Sequence, residues 1–361
     1  MQQAVVKLFP NTKAKYSFIN RGKHSFPQGF DLALRNCIEK MAELKMSSSE
    51  KLFLKSNCPY LDPTYLDFLQ GYRYDPSEVI IDQEGDTLSV TVEGYWYRTI
   101  LWEVPIMSLI CELYYKMTNT SRIDDQQVQE NTINKIEKYK KLGVTIAEFG
   151  SRRRYSYDVQ NLVVKALKNS GAGSFIGTSN VHFAIESNTK PIGTHAHEWF
   201  MFHGAKYGFK MANAMGLENW TQVYQGDLGI ALTDTFTTNV FLRQFNKKFS
   251  KLFDGVRHDS GNPFEFADKI VSHYSAMGIN PLSKTIIFSD GLDYDKVEKI
   301  VSYCKGRIGV SFGIGTNFTN DVGPKPMNIV IKMTEITDDN KNWIAVVKLS
   351  DEEMKHTGTP K

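Results

Sequence analysis

The sequence predicts an α/β fold: an irregular (β/α) barrel preceded by an N-terminal α+β domain. Three observations predict it. The chain has 361 residues, of which 41% are hydrophobic and 23% charged, the composition of a globular protein with enough apolar material for a large core. Short apolar strands alternate with helices through the middle of the chain, as parallel strands joined by crossover helices do. Polar or charged side chains follow each of these strands.

Charge and cysteine content exclude several classes of protein. Lys and Arg number 43 against 40 Asp and Glu, a net charge of +3, which gives no bulk electrostatic reason to expect a nucleic acid or an anionic membrane as a partner. The cysteines Cys37, Cys58, Cys111 and Cys304 have no paired spacing, so neither a disulfide framework nor a zinc site is indicated. No apolar run approaches the roughly 20 residues that span a bilayer, and no signal peptide is recognisable. We therefore expect a cytoplasmic protein.

The first part of the chain lacks a strand-then-helix rhythm. Apolar spacing predicts a helix over 31–44, and residues 79–81 and 88–92 are typical of two strands joined by a turn. Strand-like alternation returns in 327–350. We expect these late strands to join an N-terminal α+β domain formed by residues 1–120.

Residues 121–326 are expected to form the barrel. A helix over 126–142 ends at Gly143, a residue that suits the position after a helix C-terminus. An open doubly wound sheet is the competing architecture. The expected strand segments are 144–149, 174–177, 190–194, 229–233, 255–257, 285–288 and 308–312, and the expected helices are 158–168, 198–215, 237–253, one that begins near 263, and 294–304.

Residues that follow barrel strands share one face and carry the chemistry of such folds. Asp234 is favoured as the N-cap of the next helix rather than as a ligand contact, and Asp259 and Asp290 also suit ordinary turns. The polar residues at the predicted strand ends are Arg152, Arg153, Arg154, Thr178, Ser179, Asn180, His195, His197, Glu198, Asp234, Arg257, His258, Asp259, Ser289, Asp290 and Thr316.

Together these loops favour a small, highly phosphorylated ligand. The glycines Gly313 and Gly315 directly follow a strand, where exposed backbone N–H groups can hold phosphate oxygens. Carboxylates of other loops could hold Mg²⁺ through water, and Phe149 beside Arg152 offers a flat apolar surface for an aromatic ring. A phosphoribosyl donor with an aromatic acceptor fits both features.

The histidines allow two chemistries. His195, His197, His258 and Asp290 could bind a metal in a barrel hydrolase, although His203 follows His197 by six residues and not by the four that a helical HExxH site requires. Alternatively, an imidazole held by a carboxylate could act as a nucleophile that is phosphorylated and dephosphorylated.

Eight motifs occur along the chain, most of them at the predicted strand ends: FGSRRR (149–154), GTSN (177–180), GTHAHEWF (193–200), LGIALTD (228–234), RHDSGNP (257–263), FSD (288–290), SFGIGT (311–316) and VKLS (347–350). Together they resemble the motifs of the bacterial-type nicotinate phosphoribosyltransferases. The resemblance implies a type II phosphoribosyltransferase fold, an irregular barrel with an N-terminal α+β domain that the C-terminal strands join.

The resemblance also implies an activity. It implies formation of nicotinate mononucleotide and pyrophosphate from nicotinate and phosphoribosyl pyrophosphate, coupled to ATP hydrolysis through a phosphohistidine, in NAD biosynthesis. A non-enzymatic phosphoribosyl-ligand sensor is a further alternative.

The resemblance also implies roles for individual residues. His197 is similar to the phosphorylated histidine, and it is grouped with Arg152, Arg257 and Asp259 as catalytic. The implied nicotinate contacts are Phe149, Arg152, Ser179 and Arg257; the implied phosphoribosyl and phosphate contacts are Asp259, Asp290, Gly291, Gly313, Gly315, Thr316 and Lys348. Mg²⁺ is expected to arrive with phosphoribosyl pyrophosphate rather than to be tightly bound by the protein, and ATP is the expected co-substrate.

Ser179 distinguishes nicotinate from nicotinamide. Nicotinamide-using relatives resemble this chain but have an aspartate at that position, and its carboxylate would repel nicotinate by about 4 kcal/mol at 4 Å and an effective dielectric of about 20. Serine removes this repulsion, which favours the acid. The resemblance implies a further base contact, a tyrosine from a segment before the position of Met1 that stacks on the base from a neighbouring subunit, and therefore a homodimer.

Overall fold

The structure, a computed structural model, describes residues 1–352 and 355–358. Its first part mixes helices with antiparallel strands. Local signals start several of these helices, for example the capping box of Ser47 and Glu50. In chain order the elements are α1 (Gln2–Leu8), β1 (Lys13–Asn20), α2 (Phe30–Met41), α3 (Ser48–Asn57), α4 (Pro63–Gly71), β2 (Val79–Glu84), β3 (Thr87–Tyr95), α5 (Trp96–Thr99) and α6 (Glu103–Met117).

The remaining elements alternate between helix and strand before two final strands. Gly143 has a φ of 68° and ends the first of these helices, as the sequence predicts. The elements are α7 (Asp125–Leu142), β4 (Thr145–Glu148), α8 (Tyr157–Ser170), β5 (Phe175–Thr178), α9 (Val181–Glu186), α10 (His197–Tyr207), α11 (Ala212–Tyr224), β6 (Ile230–Leu232), α12 (Thr238–Gln244), α13 (Lys247–Leu252), β7 (Gly255–His258), α14 (Pro263–Ala276), β8 (Thr285–Phe288), α15 (Tyr294–Cys304), β9 (Gly309–Ile314), α16 (Thr316–Thr319), β10 (Ile329–Thr337) and β11 (Trp343–Ala345).

Strands from both ends of the chain form one antiparallel sheet in the order β11-β10-β1-β3-β2. β10 pairs with β1 so that Phe18 lies opposite Ile331 and Ser17 opposite Lys332. The prediction that the late strands join the N-terminal α+β part is therefore confirmed. The exact division at residues 1–120, 121–326 and 327–350 stays a prediction.

The middle of the chain forms a parallel sheet in the order β5-β4-β9-β8-β7-β6. This is the cyclic order of a barrel, because β9 pairs with β4 and each other strand lies beside its neighbour in sequence. Within the described residues β5 and β6 are the two free edges, and residues 190–194 contribute only an isolated bridge between Thr178 and Pro191. The irregular barrel is confirmed and the open doubly wound order is wrong.

Two of the predicted long helices are broken. The helix expected over 198–215 is divided into α10 and α11, because Gly208 has a φ of 83° that ends the first helix. The helix expected over 237–253 is divided into α12 and α13, where the Asn246 side chain accepts hydrogen bonds from the first N–H groups of the second helix. Continuous apolar spacing in the sequence conceals both breaks.

A shared aromatic core joins the two sheets. The ring of Phe9 lies 4.4 Å from that of Phe202 on α10 and 6.0 Å from that of Trp199, measured between ring centroids. The ring of Trp96, the first residue of α5, packs 4.5 Å from that of Phe202. The start of α10 is thereby held between the N-terminal layer and the barrel. No helix in the described ranges is long and apolar enough to cross a membrane.

Candidate active site

A cleft of about 1690 Å³ opens where the barrel strands end, and residues of the N-terminal layer line its other side. The structure brings together residues that are far apart in the chain, including Arg152, His197, Asp290 and Gly315. Every residue to which the resemblance assigns a role lines this cleft: Phe149, Arg152, Ser179, His197, Arg257, Asp259, Asp290, Gly291, Gly313, Gly315, Thr316 and Lys348.

His197, the first residue of α10, is held by a carboxylate. Its Nε2 lies 2.8 Å from Oδ1 of Asp234, whose Oδ2 accepts a hydrogen bond of 2.6 Å from the Ser260 hydroxyl. Burial lowers the pKa of His197, against the opposing effect of Asp234. Burial alone would raise the pKa of Asp234, but His197 and Lys348 hold it well below its usual range. The result is an oriented imidazole whose Nδ1 has no hydrogen-bond partner among the described residues.

The predicted N-cap role of Asp234 is wrong. The helix that follows begins at Thr238, and its N-cap is Thr237. The backbone N–H of Thr238 donates instead to the carboxylate of Asp351, at 2.8 Å. The Asp234 side chain therefore does not cap this helix, and its carboxylate contacts His197 instead.

Arg257 and Asp259, at the end of β7, form an ion pair with Nη2 and Oδ1 3.1 Å apart. The Ser289 hydroxyl donates to Oδ1 of Asp259 at 2.8 Å and accepts from Nε of Arg257 at 3.0 Å. Burial alone would raise the pKa of Asp259, but Arg257 and His197 lower it well below its usual range. Asp259 is thus an anion at neutral pH, fixed by two neighbouring loops.

Phe149 and Arg152 follow β4 on the same side of the cleft. A Cβ on Gly313 would lie 2.5 Å from the Phe149 ring, so the ring lies directly on the β9 backbone. Arg152 is on the short helical turn Ser151–Arg153. Its Nη1 donates to Oε1 of Glu103 at 2.9 Å, and its side chain is 46% exposed toward the cleft.

Ser179 and Asp290 lie on two other loops of the cleft. The backbone N–H of Ser179 donates to the Glu148 carbonyl at 2.8 Å, which fixes the loop while the side chain stays exposed. Oδ1 of Asp290 accepts a hydrogen bond of 2.6 Å from the ammonium of Lys355, in the C-terminal segment. Gly315 has no atom closer than 3.5 Å to a Cβ position, so space is open beside its backbone.

Comparisons with known proteins identify the family. A model of the nicotinate phosphoribosyltransferase (NAPRTase) family matches residues 144–361, and a model of its N-terminal domain matches residues 1–111. The chain belongs to the nicotinate phosphoribosyltransferase family. It is 60% identical over 360 residues to the nicotinate phosphoribosyltransferase of Chromohalobacter salexigens, covering 100% of this chain and 92% of the relative. It is 47% identical to that of Desulforapulum autotrophicum, covering 99% and 92%.

Solved structures of the nicotinate phosphoribosyltransferase family have the same fold. The crystal structure from Porphyromonas gingivalis superposes with a TM-score of 0.97 at 45% identity, covering 99% of this chain and 93% of that one. The structure from Vibrio cholerae gives a TM-score of 0.92 at 34% identity, covering 100% and 88%. These matches confirm the family resemblance and the fold.

The alternative of a metal-dependent hydrolase is not supported. The His195 ring packs 4.2 Å from the Trp220 ring and its Nδ1 accepts a hydrogen bond from the Leu232 N–H. Burial lowers the pKa of His195 to about 3, so it is a neutral residue of the barrel interior. His258 packs 4.9 Å from Phe266. In residues 1–352 and 355–358, no group of three His, Cys, Asp or Glu side chains could hold a metal ion.

Glu198 is among the polar residues at the predicted strand ends but receives no role from the resemblance, and the cleft residues Tyr16, Glu103 and Lys332 are not predicted at all. The Tyr16 hydroxyl donates to Oε2 of buried Glu198 at 2.6 Å. Burial, reinforced by Glu103, raises the pKa of Glu198 to about 8, against the effect of the Tyr16 hydrogen bond. Burial lowers the pKa of Lys332 to about 8. Position beside His197 was the one available signal for Glu198; the other three belong to the N-terminal layer and have none.

Proposed function

We propose that this chain is a nicotinate phosphoribosyltransferase of NAD biosynthesis. It forms nicotinate mononucleotide and pyrophosphate from nicotinate and phosphoribosyl pyrophosphate, in a ligase-type reaction coupled to ATP hydrolysis. The observation that supports this proposal most strongly is that one cleft contains the oriented imidazole of His197, two guanidinium groups, two loop carboxylates and a glycine-rich loop. Family membership, shared with relatives that have this name, supports the same activity.

The nicotinate site is formed by Phe149, Arg152, Ser179 and Arg257. The Phe149 ring, fixed against Gly313, offers a face on which the pyridine can stack. Arg152 and Arg257 supply positive charge for the carboxylate. Each has an acidic neighbour that orients it, Glu103 in one case and Asp259 in the other. Ser179 adds a hydroxyl where a carboxylate would repel the substrate.

The donor site lies across the loops after β7, β8 and β9. Carboxylate oxygens are the protein ligands that Mg²⁺ prefers, and Asp259 and Asp290 present them to the cleft, so these residues fit a magnesium ion carried by the donor. The bound ion would neutralise pyrophosphate charge. Gly315 and Thr316, directly after β9, offer backbone N–H groups to phosphate oxygens. Gly313 precedes them within β9, under the Phe149 ring, and not after the strand as the sequence predicts. Gly291 leaves room beside Asp290. Buried Lys348 contributes a further positive charge.

The glycosyl step breaks the bond between C1′ and the pyrophosphate oxygen and forms one between C1′ and the pyridine nitrogen. The transition state resembles an oxocarbenium ion, so the departing pyrophosphate carries the developing negative charge. Cationic and N–H groups already aimed at it lower the barrier. The pyridine nitrogen carries no proton, and the step therefore needs no general base.

His197 has a separate task. Because Asp234 accepts a hydrogen bond from the Nε2–H of His197, the lone pair is on Nδ1 and can attack the γ-phosphorus of ATP, and ADP leaves with the electrons of the broken P–O bond. Asp234 then stabilises the positive phosphoimidazole. Phosphorylation shifts the population toward a form that binds the donor more tightly, and hydrolysis of the P–N bond returns the free histidine.

The test is direct. The purified protein is incubated with nicotinate, phosphoribosyl pyrophosphate and Mg²⁺, with and without ATP, and both products are quantified. We expect nicotinate mononucleotide and pyrophosphate in equal amounts, with ATP increasing the rate. Absence of both products would contradict the proposal.

We also propose a cytoplasmic homodimer, to be checked by cell fractionation and by light scattering of the purified protein.

A further inference from the structure

Lys355 lies against a carboxylate of the donor site. Its ammonium is 2.6 Å from Oδ1 of Asp290, 3.0 Å from the carbonyl oxygen of Asp259 and 3.2 Å from Oε2 of Glu352. A lysine ammonium has three N–H donors, and these three acceptors can satisfy them all. The ammonium therefore bridges the loops that follow β7 and β8.

The backbone around Lys355 is fixed independently of its ammonium. Lys348 and Thr357 exchange two backbone hydrogen bonds of 3.0 Å, and the N–H of Leu349 donates to the Thr235 carbonyl at 2.8 Å. The N–H of Asp351 donates to the Ser260 hydroxyl at 3.2 Å. Removal of the Lys355 charge should therefore leave the segment in place.

The partner of Asp290 differs from those of the other site carboxylates. Asp234 contacts His197 of the barrel and lies 3.5 Å from buried Lys348, and Asp259 is paired with Arg257 of the barrel. Among the described residues, Lys355 is the one cationic side chain within 4 Å of the Asp290 carboxylate. A lysine is a point charge on a flexible four-carbon stem, so it can leave the carboxylate without movement of the barrel.

An ammonium and a divalent cation compete for the same oxygens. We propose that Lys355 is the resident counter-ion of Asp290, that Mg²⁺ arriving with the donor displaces its ammonium, and that the displaced ammonium then contacts phosphate oxygens of the donor. The exchange keeps the carboxylate paired in the empty enzyme and supplies a positive charge to the polyphosphate in the loaded one. The identity of the donor rests on the proposed function; competition at Asp290 does not.

Metal binding without substrate tests the competition. Mn²⁺, a paramagnetic substitute for Mg²⁺, is titrated into the full chain and the free ion is measured by electron paramagnetic resonance. Lys355→Met should bind Mn²⁺ about tenfold more tightly than the unsubstituted protein, because a nearby like charge is removed at an effective dielectric of about 20. Lys355→Arg, which keeps the charge, should show less than half of that gain. Adding Asp290→Asn to Lys355→Met should abolish it.

Lys296→Met is the matched control. The Lys296 ammonium donates to the backbone carbonyl of Asp290 at 2.7 Å, so this variant removes an ammonium from the same loop but not from the carboxylate. It should change Mn²⁺ affinity less than twofold. Equal affinity in Lys355→Met and the unsubstituted protein would overturn the proposal, as would a gain that persists with Asp290→Asn. Thermal unfolding checks each variant, and Lys355→Gln replaces the Met variant if that one is unfolded.

Steady-state kinetics tests the second half of the exchange. With saturating nicotinate, Lys355→Met should raise KM for phosphoribosyl pyrophosphate at least tenfold and lower kcat by a smaller factor. An unchanged donor KM would refute the phosphate contact. If the unsubstituted protein forms no product while the Mn²⁺ result holds, the proposed function fails and the competition at Asp290 stands.

Discussion

His197 and Asp234 are separated by 37 positions in sequence, yet Nε2 of the histidine lies 2.8 Å from Oδ1 of the aspartate. The histidine begins α10 and the aspartate follows β6, so the pair joins two successive barrel units. A single carboxylate thus determines which ring nitrogen faces the protein and which faces the cleft. The proposed coupling to ATP depends on this orientation.

Replacing His197 with Asn should separate the two chemistries. Asparagine cannot form the phosphoimidazole, but the base and donor sites remain, so transfer should continue at a reduced rate while ATP no longer stimulates it. The measurements are the rate of nicotinate mononucleotide formation with and without ATP and, in the presence of ATP, the amount of ADP released per product formed. Phe200→Leu, a conservative change one helical turn further along α10, is the control for packing. Full ATP stimulation in His197→Asn would refute the role of the histidine.

Replacing Ser179 with Asp should shift the base preference toward nicotinamide. The new carboxylate repels that of nicotinate by about 4 kcal/mol at 4 Å and an effective dielectric of about 20, whereas it can accept a hydrogen bond from an amide N–H. The ratio of kcat/KM for the two bases measures the shift, which should exceed a hundredfold. Ser179→Asn, similar in size but neutral, is the matched control. An unchanged ratio in Ser179→Asp would count against the assignment of this residue.

Replacing Gly313 with Ala should displace the Phe149 ring. The added methyl group would lie 2.5 Å from the ring, so the ring must move, and overpacking of this kind costs about 1–3 kcal/mol in the free energy of unfolding. If a similar free energy is lost from nicotinate binding, KM for nicotinate should rise about tenfold or more, because each tenfold change in affinity corresponds to about 1.4 kcal/mol. Gly71→Ala, where a Cβ has nothing within 4 Å, should leave both quantities unchanged. A Gly313→Ala protein with ordinary nicotinate KM would place the base elsewhere.

Replacing Glu198 with Gln should change how stability depends on pH. Burial raises the pKa of Glu198 from 4.5 to about 8, so the folded state binds this proton more tightly than the unfolded state does. The contribution of Glu198 to the free energy of unfolding is most favourable below pH 4.5. It is lost as the pH rises toward 8, by at most about 1.4 kcal/mol per pH unit. Glutamine has no such dependence, and it should stabilise the protein more at pH 8 than at pH 5.

Urea unfolding at the two pH values measures this difference. Glu218→Gln, which changes an exposed carboxylate paired with Lys248, is the control and should show nearly equal effects at both. Equal effects for Glu198→Gln at pH 5 and pH 8 would show that the carboxyl has an ordinary pKa in the folded protein.

The sequence by itself determined the α/β class, the barrel and the strand-end residues that line one side of the cleft. Strand segments such as β8 and β9 are short apolar runs between glycines or polar residues, so local pattern identifies them. Once parallel strands are recognised, their carboxyl ends share an edge, and Arg152, Asp259 and Asp290 must lie near one another. The β10 alternation likewise predicted a return to the N-terminal layer.

Only the tertiary structure decided which side chains pair. Asp234 could cap a helix or hold His197 with the same local sequence, and the choice depends on where α12 begins. The Tyr16–Glu198 and Lys355–Asp290 contacts join residues 182 and 65 positions apart, and no local pattern encodes either distance. Burial, which shifts the pKa of Glu198, is equally a property of the packed layers. The periodicity of apolar residues predicts which face of a helix or strand a residue occupies. Which side chain it contacts there depends on how elements distant in sequence pack against each other.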